Sequence, residues 1–214
     1  MPTLPPATPR PGQRIVEQVL TAKPVTLDLG GPTVPTWAYG DTAPGPLVRA
    51  TAGDFLRIRL DNQLPADTTI HWHGIRLHNK ADGVPSMTQD PVPAGGSFTY
   101  EFTAPDPGTY FFHPHVGVQL DRGLYAPLIV DDPNEPGAYD AEWVVVLDDW
   151  VDGTGRTPDD VLAKLIADGG PAPSGGMGGG RRRGPTPHGG ARQENGVFFW
   201  PGYRMQIGRA SCRE

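Results

Sequence analysis

The sequence predicts an all-β protein, folded as an antiparallel Greek-key β-sandwich. Short apolar runs recur through the first two-thirds of the 214 residues, and the clearest of them alternate between apolar and polar residues. Turn-forming stretches such as "PAGGS" (93–97) and "PDPGT" (105–109) separate these runs. Period-two alternation is typical of a strand with one dry and one solvated face, and turns at this spacing are typical of a sandwich.

The strands of this domain, which we place at residues 12–133, rest on local patterns. In "DFLRIRLDN" (54–62) the side chains of Leu56, Ile58 and Leu60 share one face. The segment "SFTYEFT" (97–103) alternates in the same way. Further apolar runs predict the remaining strands, which are "RIVEQVL" (14–20), "TIHWHG" (69–74), "TYFFH" (109–113) and "LYAPLIVD" (124–131).

After the linker "DDPNEPG" (131–137), residues 134–206 look like a second domain that is started and unfinished. The segment "EWVVVLDDWV" (142–151) predicts a strand and "NGVFFWPGY" (195–203) another. Between them, "TPDDVLAKLIADG" (157–169) predicts a helix, with Thr157 placed to cap its start and Gly169 to end it.

Two other segments are expected to lack regular structure. The glycine-, proline- and arginine-rich loop at 169–193 is predicted to be disordered. The ending "IGRASCRE" (207–214) fits neither strand nor helix and resembles a translated sequencing adapter. We therefore expect residues 207–214 to be a non-native tail, which would make Cys212 an artefact and the natural chain longer.

Composition excludes several functions. The net charge of −6 argues against a nucleic-acid partner, although residues 181–183 are three consecutive arginines. No apolar run approaches the ~20 residues of a membrane helix, so no membrane span is expected. The start has no charged-then-apolar leader pattern. Because Cys212 is the single cysteine, no internal disulfide can form.

The most informative residues are two histidine pairs, His71 and His73 in "HWHG" and His113 and His115 in "HPHVG". In an extended chain, residues i and i+2 point to the same side, roughly 6.8 Å apart. Two such pairs side by side would make a cluster of four imidazoles, which suit copper, zinc, iron or nickel. A lone histidine is usually explained by packing, whereas two H-x-H pairs, each followed by glycine within two residues, predict metal ligation. By contrast, His78 is expected on the surface and His188 in the disordered loop.

A family resemblance then narrows the choice of metal. The motifs "HWHG", "ADGVPSMTQ" (81–89), "PAGGSFTYEF" (93–102) and "GTYFFHPHVGVQLDRGLYAPLIV" (108–130) occur in that order. Together they resemble the N-terminal cupredoxin domain of the multicopper oxidases, and laccase-like enzymes of three domains are the most similar. The resemblance covers roughly residues 45–150. It implies a cupredoxin-like Greek-key β-sandwich, followed by an incomplete second cupredoxin-like domain.

The resemblance also implies roles for individual residues. In the family, the two H-x-H motifs supply half of an eight-histidine trinuclear copper cluster. By position, His71 would bind the type 2 copper, His73 one of the type 3 pair, and His113 and His115 the type 3 coppers, one each. Asp82 matches a family acid that donates protons beside the cluster. It also reads as a turn aspartate before Gly83, since Asp-Gly is a turn signal by itself.

The same resemblance indicates what this chain does not contain. Family members take electrons singly from phenols, amines or metal ions at a type 1 copper held by a cysteine, and reduce O₂ to water with four electrons. No cysteine lies beside His113 and His115, so the type 1 site is expected in a missing C-terminal cupredoxin domain. The chain alone is therefore predicted to be inactive, and the full protein is expected to be secreted or periplasmic, because family members are exported.

Two alternatives stay open. One is a non-catalytic copper-binding or copper-tolerance module, which methionine enrichment would favour, but only four methionines occur. The other is a cupin-type metal enzyme, whose first motif also begins H-x-H but continues to a glutamate that "HWHGIRLHNK" lacks. Near the second motif, Asp121 and Arg122 are expected to form a structural turn with Gly123.

Overall fold

The structure is a computed structural model that describes residues 8–169 in full and, beyond them, the backbone of four strands between residues 192 and 211. Strands dominate, and the described part of the chain contains a single α-helix. No helix among these residues is long and apolar enough to cross a lipid bilayer. The all-β prediction is therefore confirmed, with the sandwich formed by residues 15–131.

Two four-stranded sheets make up the sandwich. The first sheet has the order β2-β1-β4-β6 and comprises β1 (Ile15–Asp28), β2 (Thr33–Tyr39), β4 (Phe55–Asn62) and β6 (Ser97–Thr103). The second has the order β3-β8-β7-β5 and comprises β3 (Val48–Thr51), β5 (His71–His73), β7 (Gly108–His113) and β8 (Ala126–Asp131). Between them the chain crosses repeatedly from one sheet to the other.

The expectation of a purely antiparallel sandwich is wrong at two places. Strand β1 runs parallel to β4, and β3 runs parallel to β8. Parallel neighbours need a crossover connection, and both pairs have one, because the intervening chain passes through the opposite sheet before it returns. The remaining pairs, including β4 with β6 and β5 with β7, are antiparallel.

A single apolar core lies between the sheets. Leu56, Ile58 and Leu60 are fully buried, as their alternation predicts. Trp72 is also fully buried, and its ring packs 4.9 Å from that of Phe102 and 5.1 Å from that of Phe112. Because Trp72 stands between His71 and His73, burial of its side chain turns both imidazoles to the other face of β5.

The second part of the chain begins with β9 (Glu142–Val145) and α1 (Pro158–Ala167). The helix starts as predicted, since the Thr157 hydroxyl accepts from the Asp160 amide and the Asp160 side chain accepts from the Thr157 amide. Strand β9 is shorter than the predicted run at 142–151. The boundaries of the two proposed domains stay predictions.

The last strands correct three sequence-based expectations. The described strands are β10 (Arg192–Glu194), β11 (Val197–Trp200), β12 (Tyr203–Gln206) and β13 (Gly208–Ser211). Strand β10 overlaps the end of the loop predicted to be disordered, whose residues 170–191 lie outside the described residues together with His188. The single strand predicted at 195–203 is instead two antiparallel strands, β11 and β12. The ending was expected to have no strand, yet Gly208–Ser211 pairs with β9, because backbone pairing needs no apolar pattern.

Polar contacts join the sandwich to the residues before α1. The buried carboxylate of Asp152 accepts a hydrogen bond from the Thr36 hydroxyl at 2.7 Å and lies 3.6 Å from the guanidinium of Arg122. That guanidinium also stacks 4.8 Å from the ring of Trp37 and pairs with Asp159. A cleft of about 880 Å³ opens beside this seam, and none of the four motif histidines lines it.

Candidate metal centre

The pairing of β5 with β7 brings the two histidine motifs together. His71 lies opposite His113 in the antiparallel register, and His73 lies opposite Phe111. The ring of His71 has centroid distances of 5.7 Å to His73, 5.6 Å to His113 and 4.4 Å to His115. The His113 ring lies 5.4 Å from that of His73 and 5.2 Å from that of His115. The structure therefore contains the four-imidazole cluster that the sequence predicts.

The four histidines differ in how far they are exposed to solvent. His113 is 8% exposed, whereas His115 lies at the surface. Burial, with a smaller contribution from the charges of the neighbouring imidazoles, lowers the pKa of His113 to about 3. Burial also lowers the pKa values of His73 and His115, and the charge of His71 lowers them by a smaller amount. These three rings are thus neutral at pH 7, which is the form that binds a metal ion.

Backbone carbonyls fix the proton on two of the rings. His71 Nδ1 lies 2.8 Å from the carbonyl oxygen of Asp82, and His113 Nδ1 lies 2.9 Å from that of Pro114. A carbonyl oxygen can only accept, so each Nδ1 carries the hydrogen and donates it. When a ring held in this way is neutral, its Nε2 has the lone pair, and this carbonyl support is typical of metal-binding histidines.

The third ring is oriented differently. His73 Nδ1 lies 3.1 Å from His113 Nε2. Because Nε2 of neutral His113 has only a lone pair, His73 donates from Nδ1 in this arrangement. These two nitrogens face the same point, so His73 presents Nδ1 where His113 presents Nε2. A ligand bond to a metal would replace this hydrogen bond.

Asp82 lies beside the cluster, at the turn where the sequence places it. Besides its carbonyl contact, its carboxylate Oδ1 is 3.3 Å from His71 Nδ1. The next residue, Gly83, has φ +73° and packs so closely that a Cβ would lie 1.7 Å from the carbonyl oxygen of Ile70. Only glycine fits there, and that close approach holds the Asp82 carbonyl against His71.

The four imidazoles do not form a complete metal site by themselves. Among the residues whose side chains the structure describes, no three His, Cys, Asp or Glu side chains converge on a single point that could hold a metal ion. The donor set is imidazole nitrogen, which suits copper as well as zinc, and no thiolate adds to it.

Sequence reasoning missed the polar residues that hold the cluster in place. Thr68, Thr69 and Gln119 are buried, and each hydrogen-bonds across the two motifs. Their only sequence signal is that polar residues lie in apolar surroundings. The structural turn predicted at Asp121 and Arg122 is confirmed, since Gln119–Arg122 is a 3₁₀ turn that ends at left-handed Gly123. His78 is half-buried and precedes the 3₁₀ turn Asn79–Ala81.

Comparison with known proteins adds the family context. The sequence profile of the multicopper oxidases matches residues 21–135. The multicopper oxidase MmcO of Mycobacterium tuberculosis is 54% identical over 159 residues, which are 74% of this chain and 31% of that protein. The copper resistance protein A homolog of Pseudomonas syringae pv. tomato is 37% identical over 164 residues, 74% of this chain and 27% of that protein.

A solved structure agrees. A mutant of the laccase from B. aclada superposes with a TM-score of 0.66 at 33% identity, covering 73% of this chain and 29% of that chain. The chain therefore spans about a third or less of the length of each of these three relatives.

Proposed function

The chain belongs to the multicopper oxidase family, and on that premise we propose that His71, His73, His113 and His115 bind copper as half of a trinuclear copper site. The observation that carries the proposal is the antiparallel pairing of the two H-x-H strands, which gathers four imidazoles into one cluster in which the His71 ring contacts the other three. Because no three of the described side chains converge on one point, each copper needs further ligands from outside these motifs.

The assignment of each ring follows the family order of the motifs. His71 would bind the type 2 copper, His73 one type 3 copper, and His113 and His115 the type 3 coppers. The hydrogen bonds support ligation through Nε2 of His71 and His113, since Nδ1 of each donates to a backbone carbonyl. For His73 we propose Nδ1 as the ligating atom, because it lies 3.1 Å from His113 Nε2; ligation there requires the His73 ring proton to move from Nδ1 to Nε2.

The whole protein, in this proposal, couples the one-electron oxidation of a phenol, an amine or a metal ion to the four-electron reduction of O₂ to water. When bound, the copper ions supply the electron transfer and the O₂ chemistry. This chain contributes the four imidazoles, and the type 1 copper with the other half of the cluster belongs to a C-terminal cupredoxin domain. The chain alone is then expected to be inactive. We place the protein outside the cytosol, as the copper- and O₂-dependent chemistry of the family implies.

Asp82 is proposed as the proton donor beside the cluster. Its Oδ1 lies 3.3 Å from His71 Nδ1, so its carboxyl group reaches the rim of the four rings. In a natural protein that contains this chain and the missing domain, Asp82→Asn is expected to lower O₂ turnover by about 10²-fold or more at unchanged copper content. The exposed Asp90 provides the matched control, and an equal loss in Asp90→Asn would contradict this role.

A copper titration tests the ligand assignment. The wild-type chain is expected to bind Cu(II) in calorimetry, and the His71→Ala/His113→Ala double variant is expected to lose that binding. His78→Ala removes a histidine that belongs to neither motif and should leave the binding unchanged. No O₂ uptake is expected from the chain with a phenolic reductant, and clear turnover would overturn the half-site proposal.

A second candidate is a copper-binding or copper-tolerance module without turnover. The similarity to a copper resistance protein A homolog favours it. The two candidates differ in the natural gene, because the oxidase requires codons for an H-x-x-H-x-H and an H-C-H motif downstream. A module would bind Cu(II) through the same four histidines and never consume O₂.

A further inference from the structure

His115 lies beyond the point where the sheet can position it. The pairing of β5 with β7 ends with His71 opposite His113. The next residue, Pro114, has no N–H and cannot continue the ladder of backbone hydrogen bonds. His115 is thus one residue past the last paired position, and its ring is also the most exposed of the four. Something other than the sheet must hold it against His71.

Side chains replace the interrupted ladder. The His115 N–H donates to the hydroxyl oxygen of Thr69 at 3.1 Å, where a backbone carbonyl would otherwise accept. On the facing strand, the Ile70 N–H donates to the phenol oxygen of Tyr100 at 2.8 Å. Thr69, Ile70 and Tyr100 are all completely buried, so the two acceptor oxygens, on Thr69 and Tyr100, are shielded from water.

A second set of hydrogen bonds, made by the Gln119 side chain, also connects the two histidine motifs. The Thr68 hydroxyl donates to Gln119 Oε1 at 2.7 Å, and Gln119 Nε2 donates to the carbonyl oxygen of Asp67 at 2.8 Å. Both side chains are buried, and both ends of the glutamine amide are satisfied. This amide therefore joins the residues just before the first histidine motif to the 3₁₀ turn just after the second.

We propose that Thr69 and Gln119 are positioning residues for His115, which they hold beside His71 where the sheet no longer can. Thr69 fixes the backbone of His115 directly, and Gln119 fixes the turn that follows it. The two residues preorganise the cluster before any metal arrives. The consequence for copper rests on the proposed function, whereas the positioning of His115 does not.

Four variants separate positioning from general stability. Thr69→Val and Gln119→Leu remove the ties at similar side-chain volume, and Thr69→Ser keeps the hydroxyl. Thr103→Val removes a buried hydroxyl in the other sheet and serves as the matched control. Thermal unfolding shows which variants fold. If Gln119→Leu does not fold, the two Thr69 variants still decide whether Thr69 positions His115.

Two readouts are needed. In the metal-free chain, hydrogen exchange of the His115 amide is expected to accelerate by about tenfold or more in Thr69→Val and to stay slow in Thr69→Ser and Thr103→Val. In Cu(II) titrations of the same samples, affinity is expected to fall about tenfold or more in Thr69→Val and Gln119→Leu, with an altered EPR spectrum.

The outcomes are distinguishable. Unchanged His115 exchange in Thr69→Val, or equal losses in Thr69→Ser and Thr103→Val, would overturn the positioning role. A wild-type chain that binds no Cu(II) would overturn the proposed function, and the exchange data would still decide whether Thr69 positions His115.

Discussion

Strand β4 and one face of strand β9 both carry apolar side chains at alternate positions, yet only β4 buries them. Leu56, Ile58 and Leu60 are 0% exposed, because the second sheet covers that face. On β9, Trp143 is 61% exposed and Val145 44% exposed. A period-two pattern thus predicts a strand, whereas burial depends on what faces it. The first region of the molecule (residues 15–131) gains its stability from a closed core, and the second (residues 142–169) gains little from its described contacts.

The largest change in stability is expected when a buried side chain in the core of the first region is truncated. Ile58→Ala removes a completely buried side chain and is expected to lower the free energy of unfolding by about 2–5 kcal/mol. Denaturant unfolding followed by tryptophan fluorescence measures it. A loss below 1 kcal/mol, on the order of a surface change, would mean that the sheets do not pack as described.

The next effect is expected at the seam between the two regions. Arg122→Met removes the cation beside the buried Asp152 carboxylate, and the expected cost is about 1–3 kcal/mol. Arg59→Met is the control, since Arg59 is 56% exposed and its pair with Asp61 is expected to contribute about 0–1 kcal/mol. Equal losses in the two variants would show that the seam does not depend on Arg122.

Acid should affect the two regions in different pH windows. The pKa of His113 falls to about 3 on folding from an ordinary value of 6.5, mainly through burial. Between about pH 6.5 and pH 3, His113 is therefore protonated in the unfolded chain and neutral in the folded chain. The free energy of unfolding falls there by up to about 1.4 kcal/mol for each unit that the pH is lowered. Unfolding of the metal-free chain at several pH values measures this slope.

The helix responds only at lower pH. Hydrogen bonds from the Thr157 backbone and side chain lower the pKa of Asp160, so its contribution is present above the ordinary value of 3.8 and is lost as pH falls below it. His113→Gln should reduce the slope between about pH 3 and pH 6.5, to which His73 and His115 also contribute, and His78→Gln should leave it unchanged. An unchanged slope in His113→Gln would contradict the assignment.

The smallest effect is expected in the second region. Val145→Ala shortens a side chain that is 44% exposed, and we expect a change within about 0.5 kcal/mol. The measurement is the same denaturant unfolding used for Ile58→Ala. A loss comparable to that of Ile58→Ala would show that this apolar row is covered in solution and would remove the contrast between the regions.

Local signals explain which elements the sequence could predict. Strand β6 matches its predicted bounds, β4 begins one residue later than expected, and α1 begins directly after its capping threonine. Strand β2 was missed because two of its four buried positions, which are Val34, Thr36, Ala38 and Tyr39, are the polar Thr36 and the small Ala38. The parallel partners of β1 and β3 depend on crossovers between the sheets, which no local pattern encodes.

The candidate site divides in the same way. The four histidines could be predicted, because residues spaced as H-x-H in a strand point to the same side of the sheet. Gln119 and Thr69 could not, because each acts on a residue about fifty positions away and neither has a motif of its own. The choice of nitrogen on His71 and His113 also needed the structure, since it depends on where two carbonyl oxygens point.

The central claim is that this chain supplies only part of the ligands of each copper. Pulsed EPR of the Cu(II)-loaded chain counts the imidazole nitrogens bound to each ion and tests this most directly. Because no three described side chains converge on one point, the account predicts at most two imidazoles per copper, lost in His71→Ala/His113→Ala. Three or four imidazoles on one Cu(II), or an unchanged count in the double variant, would contradict it.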